Sequence, residues 1–102
     1  MAEQYRQQAE WLKTLAHPVR ICIVKKLMMK GSCNVTDMQN CLLVQQSTLS
    51  MHLQKLRIAG IIEGTRTGSE VLYRLKDPAA AQIVEILLQS EVSALTESHH
   101  EA

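Results

Sequence analysis

Cysteine is sparse in this sequence of 102 residues, and its placement excludes a disulfide scaffold. Cys22, Cys33 and Cys41 are odd in number and lack CxxC spacing, so they do not form the framework of a secreted protein. Phenylalanine is absent, and aromatic residues make up only 3% of the chain. The start, MAEQYRQQAEW, lacks the apolar stretch of a signal peptide. No run of about 18 apolar residues occurs, so no membrane span or membrane partner is expected. These absences point to a soluble, cytoplasmic protein. There is no glycine-rich phosphate loop, and His17, His52, His99 and His100 form no metal triad with nearby acids. The chain is therefore not expected to be an enzyme.

Basic residues are missing from one end. Residues 1–76 hold all 11 Lys and Arg against five acids, a balance of +6. Residues 77–102 hold five acids and no Lys or Arg, a balance of −5. The formal net charge of +1 thus conceals a basic body and an acidic C-terminal segment. A basic body suits a phosphate backbone, and an acidic segment belongs elsewhere on the molecule. At 46% hydrophobic, the bulk of the chain is globular, and its length allows one small domain. That domain is expected over residues 1–95, with a frayed polar tail at 96–102.

Periodicity divides the domain into helices and a hairpin. Tyr5, Ala9, Leu12 and Leu15 recur at helical spacing from about Glu3 to Ala16. Pro18 opens a second helix, with Val19, Cys22, Ile23 and Leu27 read as its inward face up to about Met29. Asn34-Val-Thr-Asp37 is an N-cap signal for a third helix, with Val35, Met38 and Leu42 inward. After a tight turn at Leu43-Val44, Gln45 or Gln46 opens a fourth helix carrying Leu49, Leu53 and Leu56. Gly60 marks its end. Two short helices joined by a few residues make a helix-turn-helix. Residues 61–66 and Glu70–Leu75 alternate about Thr67-Gly68-Ser69 as a β-hairpin. Asp77-Pro78 opens a last helix with Ile83, Ile86, Leu87, Val92 and Leu95. The fold expected is mainly α with a small hairpin, a winged helix-turn-helix in the order α-α-α-α-β-β-α.

The fourth helix bears small polar and amide side chains opposite its leucines. Gln pairs bidentately with adenine, and Ser or Thr serves bases or phosphates in the major groove. The N-terminal part of a recognition helix meets base edges. Gln46, Ser47 and Ser50 are the candidate base readers, with Gln45, Thr48 and Lys55 as flanking or backbone contacts; Ser47 equally suits helix capping. Met51 is included because a methionine contacts a thymine methyl. Arg66 and Thr67, at the hairpin tip, are placed to reach the minor groove or its phosphates. Double-stranded DNA is the expected partner.

These residues carry a family resemblance. Leu15-Ala-His-Pro-Val-Arg20, Gln46-Ser-Thr-Leu-Ser-Met-His-Leu53, Leu56-Arg-Ile-Ala-Gly-Ile-Ile62 and Leu72-Tyr-Arg-Leu-Lys-Asp77 resemble the ArsR/SmtB winged-helix repressors over about residues 10–90. The resemblance implies a homodimer built on the first and last helices, with Leu12, Leu15, Ile83 and Leu87 as candidate interface residues. It further implies repression at an imperfect palindrome and release by an effector, often a metal ion or a thiol oxidant. The alternative is a dimeric winged helix that serves as a protein-interaction module or anti-repressor with weak or no DNA binding.

The effector sites depart from the family pattern. Where metal-sensing members carry Cys-x-Cys before an acid, this chain has Asn34 and Thr36 before Asp37. At the second family site it has Asp77 but Ala79, with Ser90 and Ser93 at the partner positions. Neither site has its metal ligands, so no metal cofactor is assigned, and the sequence is similar to HlyU/PagR-like members lacking both. Cys33 and Cys41 remain as candidate thiol sensors. They bracket the third helix at about 12 Å, beyond the roughly 7 Å that a disulfide spans between Cα atoms. Cys33 precedes a helix N-terminus, where the dipole favours thiolate.

Overall fold

The computed structural model describes the backbone of residues 2–101 and the side chains of residues 2–89. A 3-10 turn, Ala2–Tyr5, leads into helix α1, Arg6–Leu15, and α2 follows at Pro18–Lys30. A two-residue strand, β1, Cys33–Asn34, precedes α3, Val35–Leu42, and α4, Gln46–Ile58. Strands β2, Ile62–Thr67, and β3, Glu70–Leu75, form the hairpin before α5, Pro78–Glu101. This is the expected winged helix-turn-helix with one addition. The hairpin is part of a three-stranded antiparallel sheet in the order β1-β3-β2, with Cys33 opposite Tyr73 and Asn34 opposite Leu72. Two residues are too few to show alternation, so β1 leaves no periodic trace in the sequence.

Local chemistry sets the element ends. Proline fixes the first turn of α2, and the His17 side chain caps it by accepting from the Val19 N–H at 3.1 Å. Asn34 caps α3 by accepting from the Asp37 N–H at 2.8 Å. The Asp77 carboxylate accepts from the Ala79 N–H at 2.9 Å at the start of α5. At the end of α4, Gly60 takes φ 78° and donates to the Arg57 carbonyl, while the Ile61 N–H reaches the Leu56 carbonyl at 3.0 Å. That pair of bonds is a Schellman motif, and it brings the buried Ile61 back towards the buried Leu56. The turn between α3 and α4 is different. There Leu43, not glycine, adopts the left-handed conformation at φ 56°, with its side chain exposed.

Each helix contributes one stripe to the core. Ile23, Val24 and Leu27 of α2, Met38 of α3 and Leu49, Leu53 and Leu56 of α4 are buried together with Ile61, Ile62, Ala80 and Val84. Cys22, expected to face inward, is exposed. At about 100° per residue it stands roughly 150° from the centre of the stripe formed by positions 20, 23, 24 and 27. Leu15, expected at a dimer interface, is 3% exposed and lies within this core. It anchors the end of α1 on its own chain and is unavailable to a second one. The boundary at residue 95, the tail at 96–102, Val92 and Leu95 lie outside the residues whose side chains are described.

Strand β2 extends one residue beyond expectation, to Thr67, and the wing turns on Gly68-Ser69 alone. Within it, Gly64 sits opposite Tyr73, and a Cβ at Gly64 would lie 3.0 Å from both the Tyr73 ring and the Val71 methyl. Tyr73 packs on the core and is paired on its other side to β1, so it has little room to retreat. Gly64→Ala is therefore expected to destabilise the domain by about 1 kcal/mol in urea unfolding. The loss should shrink in a Tyr73→Ala background. Equal losses in both backgrounds would show that the contact with Tyr73 is not the cause.

Candidate nucleic-acid interface

Helix α4 has two distinct faces. Leu49, His52, Leu53 and Leu56 are buried, whereas Gln46, Ser47, Thr48, Ser50, Gln54, Lys55 and Arg57 are exposed, and so is Gln45 at the N-cap. Met51 is 45% exposed. Ser47, Met51 and Gln54 stand about half a turn from the buried stripe, at the outermost line of the helix. Gln54 was not among the expected readers, although the same wheel that selects Ser47 selects it. Lys55 and Arg57 lie in the last turn of α4, where they complement the helix dipole.

The wing and α4 meet on one side. Gln46 lines a hollow of about 250 Å³ together with Asn34, Val35 and Thr36 at the start of α3 and Ser69, Glu70 and Val71 of the wing. Asn34 bridges them. Its carbonyl oxygen caps α3, and its amide donates to the Glu70 carboxylate at 3.0 Å. Arg66 and Thr67 are exposed on β2 beside the wing turn, opposite Val71 and Glu70. The opposite flank of α4 faces α1, where Lys55 and Ile58 line a second hollow with Arg6, Glu10 and Trp11. The hollow thus brings Gln46 of α4 beside Ser69–Val71 of the wing.

A buried polar group sets how α4 sits. His52 is 3% exposed, on the inner face of the helix. Its Nδ1 accepts from Arg20 Nε at 3.0 Å, and Arg20 Nη1 donates to the Thr14 carbonyl at 2.8 Å. Arginine is only a donor, so Nδ1 must be unprotonated and the neutral ring carries its proton on Nε2. The His17 ring lies against that of His52, with centroids 4.3 Å apart and a tilt of 48°. One chain of contacts therefore joins α1, α2 and α4. Burial pushes the His52 imidazole below its ordinary value, and the neighbouring His17 and Arg20 act in the same direction.

The candidate interface and sensor residues are distributed unevenly. Leu12 and Ile83 line one groove of about 470 Å³ between α1 and the start of α5, with Gln7, Gln8, Trp11, Asp77 and Ala79. Leu12 is 50% exposed, Leu87 48% and Ile86, one position earlier on α5, 62%. Cys41 is exposed, and the Lys26 ammonium donates to its sulfur. Cys33 is buried in β1, and burial together with the Asp37 carboxylate pushes its thiol up. The expected thiolate stabilisation by α3 is outweighed by desolvation. At the family's metal positions, Asn34 is committed to its cap and its bond to Glu70. Among the described residues no three His, Cys, Asp or Glu side chains are grouped to hold a metal ion.

Comparison with known proteins bears on the same segments. The family of bacterial regulatory proteins designated arsR matches residues 17–63, from the cap of α2 to the start of the wing. The chain is 47% identical over 75 residues to the HTH-type transcriptional repressor SmtB of Mycobacterium tuberculosis, covering 74% of this chain and 55% of that one. It therefore spans little more than half the length of that relative. It is 39% identical over 79 residues to the transcriptional repressor PagR of Bacillus anthracis, covering 78% of this chain and 79% of PagR. The crystal structure of PagR matches with a TM-score of 0.74 at 36% identity, over 85% of this chain and 99% of that one. The repressor BigR from Xylella fastidiosa matches with a TM-score of 0.77 at 37% identity, over 87% and 90%. None of the described helices is long and apolar enough to cross a membrane.

The His52 contacts carry a pH dependence of determined sign. With its folded value below the ordinary 6.5, the unfolded chain binds the extra proton first. The contribution of His52 is thus fully present above about pH 6.5 and is lost as the pH falls from there towards the folded value. His52→Asn keeps an acceptor near the Nδ1 position but does not titrate. Urea midpoints measured from pH 7.5 to pH 5 should fall more steeply in the wild type than in His52→Asn. Parallel profiles would contradict the assignment.

Proposed function

As this chain belongs to the ArsR family of bacterial regulatory proteins, a family of transcriptional regulators and not of enzymes, we propose that it is a DNA-binding transcriptional repressor. The observation that supports the reading is the hollow shared by Gln46, at the start of the exposed polar face of α4, and Ser69–Val71 of the wing. Gln46, Ser47, Ser50 and Gln54 meet base edges in the major groove, where amides and hydroxyls have matching donors and acceptors. Gln45, Thr48 and Lys55 hold the backbone, and Arg66 and Thr67 extend the contact to the neighbouring phosphates or minor groove. Arg6–Glu3 is the ion pair formed among the described residues, which leaves the basic excess of the body available to phosphate.

The repressor acts as a homodimer on an imperfect palindrome in this reading. Leu12, Ile83, Ile86 and Leu87 offer apolar surface on α1 and α5, and α5 lies in the acidic end of the chain. Keeping the acidic excess on α5 assigns it to the pairing side in this reading. Cys41, exposed beside Lys26, is the thiol through which an effector would act; burial sets Cys33 aside.

Gel shifts on fragments selected from a random duplex library test the reading. Affinity for the selected fragment should fall by roughly 10³-fold between 50 and 200 mM salt. Gln46→Ala/Ser50→Ala should weaken specific binding at least about tenfold while leaving non-specific binding in place. Absence of salt-dependent binding to any selected fragment would overturn the proposal. Leu87→Glu is expected to give monomers in sedimentation that bind weakly; an unchanged dimer would remove Leu87 from the interface.

A further inference from the structure

We propose that Met51 reads the C5-methyl group of a thymine, so that the operator contains one position where thymine is preferred for its methyl alone. This rests on the proposed DNA-binding role of α4 and specifies what its centre recognises. Met51 is the sixth residue of α4, within the half of the helix that enters the groove first, and it lies on the outermost line between Ser47 and Gln54. Its neighbours on that face, Ser47, Ser50 and Gln54, are all polar and exposed. A thioether has no charge for a phosphate and is a poor hydrogen-bond acceptor, so it gains little from the sugar-phosphate backbone or from base heteroatoms. The apolar feature of the major groove is the thymine methyl. An unbranched, polarisable side chain is suited to cover it and to adjust to small differences in docking.

Two other apolar groups on α4 are placed differently. Ile58 lies at the far end of the helix and lines the hollow against α1 with Arg6 and Trp11. Thr48 carries a methyl, but it stands on the flank of α4 that also carries Lys55, away from the outermost line. Met51 is thus the apolar group at the centre of the reading face.

Uracil substituted for thymine removes the methyl and preserves base pairing. Each thymine of a selected high-affinity fragment is replaced in turn and the dissociation constant measured for wild type, Met51→Ala and Thr48→Ser. One thymine position per half-site should lose about fourfold in affinity on replacement by uracil, the ratio for burial of one methyl. Met51→Ala should bind thymine and uracil equally there, and Thr48→Ser should retain the difference. Tolerance of uracil at every position by a wild type that still binds specifically would overturn the Met51 assignment and leave the DNA-binding reading intact. So would a fourfold loss that persists in Met51→Ala. Failure to select any specific fragment would overturn both.

Discussion

The placement of α4 depends on a hydrogen bond between a buried histidine, His52, and a half-buried arginine, Arg20. His52 points into the core from the inner face of the helix, and Arg20 meets it from α2 while holding the last turn of α1 by the Thr14 carbonyl. The bond needs a neutral imidazole, because a protonated ring would lose its acceptor and face the guanidinium as a like charge. The leucines around it could accommodate small rotations of α4, since apolar contacts have little directionality. A donor–acceptor pair with fixed geometry does not. The outward direction of Ser47, Met51 and Gln54 is therefore set from inside the core.

The wing is located by a second group of contacts. Gly64 lets β2 run close to Tyr73, and Tyr73 in turn pairs with Cys33 of β1. The carbonyl of Ile61 accepts from both Lys76 and Asp77, which closes the base of the hairpin. At the other end Asn34 joins the cap of α3 to Glu70. The hairpin is thus tied to the start of α3 at one end and to the end of α4 at the other. In the proposed complex, wing and helix would move onto DNA as one body.

Much of this was legible in the sequence because it is written in periodic or single-residue signals. Leu49, Leu53 and Leu56 define the buried side of α4, Pro18 and Pro78 open helices, and Asn34 and Gly60 close or cap them. What escaped depends on partners remote in the chain. The bond between Arg20 and His52 links residues 32 positions apart and has no local signature. Strand β1 exists because Tyr73 and Leu72 offer it an edge, not because Cys33-Asn34 favours a strand. Leu15 and Cys22 were misplaced for a simpler reason. An apolar residue at helical spacing can face its own core or a second chain, and one wheel position separates a core face from solvent. Leu43 shows the limit of turn signals, since the left-handed residue between α3 and α4 is not the glycine that such a turn favours.

Charge completes the arrangement. The basic body carries α4 and the wing, and the acidic segment carries α5, whose exposed Ile86 and Leu87 are offered to a second copy in the proposed dimer. Hydroxyl-radical footprinting of the protein on a selected fragment tests most directly whether α4 and the wing form one DNA-reading surface. The account predicts two protected patches separated by about one helical turn of 10 base pairs, or a multiple of it, both lost in Gln46→Ala/Ser50→Ala. Uniform cleavage at protein concentrations that retard the fragment, or patches unchanged in the variant, would contradict it.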